Sequence, residues 1–365
     1  MPISVYFAMG FRINNHITDS NSMKFILIAL GSAILFGAST PIGKLLLESL
    51  PPFQLAGLFY LGAALGVLPF SIKEKDSLML RNMNRSNQFR LSGAIFLGGV
   101  VGPVLLLFGL QIASSASVAM WLNLELAVTA VLGYFVFKDY LGFYGWIGVA
   151  GTAIASAALS WHEGAIGLYG LLLVGGASLC WGVDNHLTAL IDGITPSQST
   201  FWKGVVAGSV NLLISFFAES FNNDLLLITA ATVVGVFSYG FSISLYIVSA
   251  QNLGATRSQM IFASAPFFGV ILSVLLLGEI LSIVQIGAAL LLILSLVILF
   301  RDQHEHYHEH ETTHHNHNHR HDDQHHGHAH SENAGTGDHS HWHRHSSKSH
   351  SHPHWPDVHH RHEHK

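Results

Sequence analysis

The sequence predicts an all-α, polytopic membrane protein: ten transmembrane helices arranged as two inverted five-helix repeats, followed by a disordered C-terminal tail. Three observations predict it. Half of the 365 residues are hydrophobic and only 11% are charged, and the mean hydropathy is +0.40 in spite of a strongly polar tail. Apolar runs of the ~20 residues needed to cross ~30 Å of hydrocarbon recur ten times along the chain. The chain also matches itself at a nearly constant offset, and the match divides the ten runs five and five.

The runs fall at about 25–45, 53–72, 91–112, 115–137, 142–161, 168–190, 198–217, 225–248, 256–278 and 281–300, joined by short Gly- and Pro-bearing connections. Four segments follow: an N-terminal cytoplasmic segment over 1–23, a first repeat over 24–161, a second over 166–300 and a tail over 301–365. The single cysteine, Cys180, excludes disulfide stapling within the chain and reads as a small buried hydrophobe. Residues 1–23 lack the basic start and long apolar core of a secretory signal, and Met23 is a candidate native start.

Lys and Arg near helix ends mark the cytoplasmic side. The loop over 73–90 holds Lys73, Lys75, Arg81, Arg85 and Arg90, and with ten crossings it shares a side with Arg12, Lys24, Lys138, Arg257 and Arg301. The opposite loops hold only acids: Glu163, Glu219, Asp224 and Glu279. Both termini are therefore expected in the cytoplasm, with the body in a bacterial-type inner or plasma membrane.

The self-match sets "GSAILFGASTPIGKLLLESLP" (31–51) over "GASLCWGVDNHLTALIDGITP" (176–196), an offset of 145, so the first and sixth spans correspond. "VFKDYL" lies over "LLGEIL" at an offset of 140 and pairs Asp139 with Glu279, so the fourth and ninth correspond too. Five is odd, so the second repeat enters the membrane in the opposite sense. Such inverted repeats, with a site near mid-membrane where interrupted helices meet, recur in secondary transporters. On this reading Asp184-Asn185-His186 is a polar break in the sixth span, opposite Thr40-Pro41 in the first.

Four strings carry a resemblance. The "LLLESLPPF" that ends the first span, "WLNLELAVTAVLGYFVFKDYLG" in the fourth, "CWGVDNHLT" in the sixth and "APFFGVILSVLLLGEILSIVQ" in the ninth and tenth resemble the EamA branch of the drug/metabolite transporter superfamily, over roughly residues 24–300. The resemblance implies two five-helix domains in tandem and export of metabolites, amino acids or drugs. His186 and Ala189 stand where it leads one to expect an amide and a basic residue, so the local substrate contacts differ.

An ionisable group near the bilayer centre costs about 2.5–3.5 kcal/mol on insertion scales and marks a functional site by default. Glu125, Asp184 and Lys203 qualify. Glu125 is central in the fourth span, with Trp121 and Thr129 at i−4 and i+4 on its face, and is the best candidate to carry a proton or bind a substrate ammonium. Asp184 and Lys203 sit at similar depth, ~8–9 Å from the cytoplasmic ends of adjacent spans at ~1.5 Å per residue, so they can meet, either as a structural ion pair or in binding. His186 lies about 200° around the helix from Asp184 and reads either as a helix-bridging hydrogen bonder or as a ligand contact. Asn123 and Asn185 have the same two readings, Trp181 and Thr40 complete the candidate substrate site, and Arg257 either attracts an anionic group or anchors its helix by snorkelling. Gly98, Gly99, Gly102, Pro103 and Pro266 suit close packing or a hinge.

All but three of the 27 histidines lie beyond Phe300, among acids and almost no aliphatic residues. Such a segment cannot bury a core and should stay disordered. Its H-x-H repeats, from His304, His306, His308 and His310 through His314, His315, His317, His319 and His321 to His325, His326, His328 and His330, suit Zn, Ni, Co or Cu ions.

No Walker-type G-x-x-x-x-G-K-[ST] loop and no H-E-x-x-H appear, so the chain reads as a secondary carrier that requires no cofactor, not an enzyme. The leading expectation is alternating-access export of a small organic metabolite or amino acid. The alternative is export of divalent nickel, cobalt or zinc fed by the tail, and a third reading is a membrane-anchored metal store. The core's few potential metal ligands favour the organic substrate. Expected partners are that small molecule, the lipid bilayer and divalent ions at the tail, with a homodimer left open and nucleic acid excluded.

Overall fold

The structure, a computed structural model, describes residues 20–73, 83–137, 141–191, 194–253, 258 and 261–299, together with tail segments 304–310, 314–319, 339–344 and 348–354. Ten apolar helices account for nearly all of it before the tail. Eight are long and apolar enough to cross a membrane: α1 (Met23–Leu46), α2 (Pro52–Ile72), α3 (Arg85–Ile112), α4 (Ser115–Val136), α5 (Phe143–His162), α6 (Gly164–Thr188), α7 (Ser197–Ala218) and α8 (Leu225–Ser249). Two shorter apolar helices follow, α9 (Ala265–Leu277) and α10 (Ile283–Leu299). The described part of the ninth run is interrupted: residues 258 and 261–262 are helical, 263–264 form a turn, and α9 follows from Ala265, one residue before Pro266. Pro at the first helical turns cannot donate backward and is pre-set for a start there.

Local chemistry fixes the helix ends. Asn84, Ser114 and Asp224 each accept at their side chains from backbone N–H groups of the turn that follows, and Thr195 with Gln198 forms a reciprocal capping box before Pro196. Glycine serves two joints where the chain must reverse at once. Gly164 (φ 71°) separates α5 from α6 and Gly278 (φ 66°) ends α9, both in the left-handed region that side chains disfavour.

The helix contacts reveal the symmetry. α2 packs on α7, α5 on α10 and the first half of α4 on α9, each helix against its own repeat counterpart. α3 on α6 is matched by α8 on α1, α4 on α6 by α9 on α1, and α2 on α8 by α7 on α3. Exchanging the two repeats maps this pattern onto itself, as a pseudo-two-fold axis requires. Two of the three π-turns among the described residues repeat as well. α3 widens to a π-turn over Ile95–Val101 and α8 does so over Gly235–Phe241, 140 residues on.

Small residues hold the central helices close. On the α2–α7 seam a Cβ at Gly204 would stand 2.9 Å from Ala64 N, and one at Gly57 2.9 Å from Leu212 N, so any side chain there would push the helices apart. Within the core, the ring of Tyr239 in the α8 π-turn packs edge-on against Phe36 at 5.6 Å and tilted against Phe59 at 5.5 Å and Tyr60 at 5.9 Å. The outer surface is apolar instead of charged, with Leu27, Phe96, Phe135, Leu172, Phe216 and Leu290 all exposed. Such a surface fits a bilayer, and the chain is an integral membrane protein.

One expectation about the helices is corrected. α6 runs without interruption from Gly164 through Asp184, Asn185 and His186, so these residues form no break. Their side chains bond to other side chains or to neighbouring helices instead of competing for the helix's own backbone. α1 does bend: its helical pieces end at Gly37 and resume at Ser39, because Pro41 has no N–H to offer Gly37 four residues back. The repeat counterparts therefore differ, one kinked and one continuous.

Short described segments of the tail pair with one another along the backbone. β1 (His304–His310) pairs antiparallel with β4 (Lys348–His354), and β2 (His314–His319) with β3 (His339–Arg344). Each is a separate two-stranded ladder. The alternation of histidine with other residues has the period of a strand, which composition alone does not reveal.

Candidate functional site

The polar centre begins with a proline. Pro103 has no N–H to return to Gly99 four residues back, or to Gly98 five back across the π-turn, so both carbonyls need other donors. The Gly98 carbonyl accepts from Tyr60 Oη at 2.6 Å and from Trp181 Nε1 at 3.0 Å, and the Gly99 carbonyl accepts from Asn211 Nδ2 at 3.2 Å. α2, α6 and α7 are thereby tied to one turn of α3. Trp181, a candidate substrate contact by sequence, spends its N–H on this tie.

Against Gly98 lies the Asp184 carboxylate, in space that a Cβ would fill. Lys203 Nζ donates to both carboxylate oxygens, at 2.7 and 2.6 Å, and Thr188 Oγ1 donates to Oδ1 at 2.9 Å. Asp184 and Lys203 meet as their depths predicted, with Asp184 6% exposed. Among the described residues this is the one ion pair.

A second polar group faces α4 from the next residue of α6. Asn185 Nδ2 donates to Glu125 Oε1 at 3.0 Å and lies 3.4 Å from Thr129 Oγ1. His186 Nε2 is 3.0 Å from the Thr129 carbonyl, which can only accept, so that nitrogen carries the proton. Glu125, Thr129, Asn185 and His186 thus converge between α4 and α6. The acids are inequivalent: Asp184 has a lysine on both oxygens, whereas Glu125 accepts from one amide.

α4 is interrupted after Trp121, and its two halves differ. From Ser115 to Asn123 every residue is buried; from Leu124 onward most are partly or fully exposed. The interruption falls between Trp121 and Glu125, one helical turn apart in the sequence. Trp121 is fully buried and donates from Nε1 to the Ser156 carbonyl of α5 at 3.2 Å. Asn123, also buried, returns its amide to the Met120 carbonyl at 3.1 Å, securing the bend. Thr40 is buried in the second piece of α1, and no hydrogen bond joins it to Glu125 or Asp184. Arg257 and the side chains of the thirteen candidate tail histidines lie outside the described residues, as does Asp139.

Sequence reasoning passed over a second charged assembly, at the side of the bundle opposite to where α1 begins and α10 ends. Lys44 Nζ donates to the last carbonyls of α3: Leu110 at 2.6 Å, Gln111 at 3.2 Å and Ala113 at 2.9 Å. Glu279 accepts from the first amides of α4, Ser115 N at 2.8 Å and Ala116 N at 2.9 Å. The α3–α4 turn is therefore clamped by a cation on its carbonyl end and an anion on its amide end, each complementing the helix dipole it meets. Ser117 Oγ donates to Glu163 and accepts from Gln285 Nε2 at 3.0 Å. Burial pushes the Glu163 carboxyl above the usual range, against the Ser117 hydrogen bond and the nearby His162, which favour the ionised form. Lys44 counts as an end-of-span cation and Glu279 as a loop acid; the signal for both is the α3–α4 turn, too short to satisfy its own helix ends.

The EamA-like transporter family model matches residues 23–161 and 168–301. An uncharacterised transporter of Methanothermobacter thermautotrophicus (strain Delta H) is 26% identical over 292 residues, covering 74% of this chain and 84% of that one. A solved crystal structure of an otherwise undescribed protein shares the fold with a TM-score of 0.54 at 15% identity, over 76% of this chain and 97% of its own. With two matches that together take in most of the 365 residues, the chain belongs to the EamA-like transporter family.

Proposed function

We propose that the protein is a secondary active transporter that exports a small organic metabolite or amino acid by alternating access, with Glu125 as the group that binds the substrate's ammonium or a coupling proton. One observation carries this reading: Asp184 is neutralised by Lys203 on both oxygens, while Glu125, at mid-span, accepts only from the Asn185 amide. An intramembrane carboxylate without a cation calls for a proton or a positively charged ligand. The exposure of the polar Asn185 supports a wet approach from the terminal side, and the buried first half of α4 supports closure on the other. Lys24, Lys73, Arg85 and Arg90 at the terminal side support placing that side in the cytoplasm.

A transition-metal cargo is less well supported, since the described residues contain no group of three or more His, Cys, Asp or Glu that could hold a metal. The test compares cells expressing the full chain, Glu125→Gln and an empty vector, loaded with radiolabelled amino acids of basic, neutral and acidic type, alongside nickel, cobalt and zinc resistance. Efflux of at least one organic substrate by the full chain and its loss in Glu125→Gln is the expected result. Metal resistance that depends on Glu125, with no organic efflux, overturns it.

A further inference from the structure

The backbone register of the tail reaches further than its composition. β1 places His304 opposite His354, His306 opposite His352 and His308 opposite His350. β2 places His315 opposite His343, His317 opposite His341 and His319 opposite His339. Residues two apart on a strand share a face, so each ladder stacks three cross-strand histidine pairs on one face. Position spacing on such a face is ~5 Å across the strands and ~7 Å along them. Two adjacent pairs therefore gather four imidazole-bearing positions within a square that a tetrahedral or square-planar ion can serve. The other face of the β1–β4 ladder carries Glu305, Tyr307 and Glu309 against Pro353, Ser351 and Ser349.

Among the described residues neither ladder has a third strand. Two-stranded ribbons are marginal in water without a hydrophobic face or a third strand, and each ladder stands as a two-stranded sheet of mostly polar residues. Something that binds the paired form and not the open chain must supply the difference. Neutral imidazole donors brought together only by pairing are such a device, because metal affinity then becomes folding free energy.

We propose that the two ladders are divalent transition-metal sites, for Zn(II), Ni(II), Co(II) or Cu(II), whose donors come as cross-strand histidine pairs from the two ends of the tail, and that metal binding closes them. The tail then has an open form without metal, as its composition predicts, and a paired form with it. The distal stretch over 339–354 is as much a part of the sites as the H-x-H run that begins at His304. This holds whatever the membrane core transports.

The test uses the full chain in detergent, titrated with zinc chloride and nickel chloride by calorimetry. One variant replaces the six distal ladder histidines, 339, 341, 343, 350, 352 and 354, by alanine. A control removes five outside both the ladders and the H-x-H run: 345, 359, 360, 362 and 364. The tightest sites should weaken at least tenfold in the first variant and less than threefold in the control. In parallel, spin labels at Tyr307→Cys and Ser351→Cys, register partners in a Cys180→Ser background, should show dipolar broadening only after metal is added. Equal losses in the two variants, broadening already present without metal, or none with it, overturns the proposal.

Discussion

Asp184 and Glu125 are intramembrane acids on helices that touch, and the structure treats them oppositely. Asp184 is closed off by Lys203, Thr188 and the bare backbone of Gly98. Glu125 faces one amide at the edge of a partly exposed half-helix. Insertion cost alone does not distinguish the two carboxylates, since both incur it; the number of partners does, and the proposed role of Glu125 rests on that difference. A satisfied buried pair holds helices in place, and an acid left with a neutral partner can exchange one ligand for another.

The largest effect expected is at Glu125. Glu125→Gln should lower transport ~100-fold or more with normal amounts of protein in the membrane, as removal of a group acting in the cycle does; initial efflux rates scaled to immunoblot signal measure it. Next are Asp184→Leu and Lys203→Met. Each alone strands a charge and should cost about 3–5 kcal/mol, seen as lost folded protein in detergent, while the double variant should return to within ~1–2 kcal/mol of the parent. A folded double variant without transport would erase the contrast and place Asp184 in the working site as well.

Smaller effects sharpen it. Gly98→Ala drives a methyl into the Asp184 carboxylate and should destabilise by ~1–3 kcal/mol through overpacking, readable as a lower midpoint in thermal denaturation, with Glu125-dependent transport in the surviving protein. The least effect is at Glu163, outside the helices. Its folded-state pKa is raised above 4.5 by burial, so its contribution to stability is complete below that value and is lost as pH rises through the folded pKa. Melting curves from pH 4 to 8 should therefore show a decline with pH that is shallower in Glu163→Gln, which keeps an acceptor for Ser117.

Much of this was legible in the sequence because crossing a bilayer demands long apolar runs and leaves few places for a charge. The helix order, the repeat and the Asp184–Lys203 meeting all follow from that demand and from depth arithmetic. The interruption in α4 did not, since "WLNLE" contains neither glycine nor proline, and neither did the burial of Trp121 against α5. The continuity of α6 was missed for the opposite reason: three polar residues in a row resemble a break, but their side chains find partners on α4 and α7, or in Thr188 one turn on, and leave the backbone intact. Lys44 and Glu279 were hidden by their positions near helix ends, where charges ordinarily meet water.

Two of the three π-turns among the described residues fall at matching places. Such turns are rare and appear mostly as single-turn bulges inside α-helices. Ile95–Val101 and Gly235–Phe241 lie 140 residues apart on the counterpart helices α3 and α8, while the third, Gly133–Phe137 in α4, has plain α-helix at its counterpart in α9. The widened turn thus belongs to the shared plan of both halves at one place and to a single half at the other.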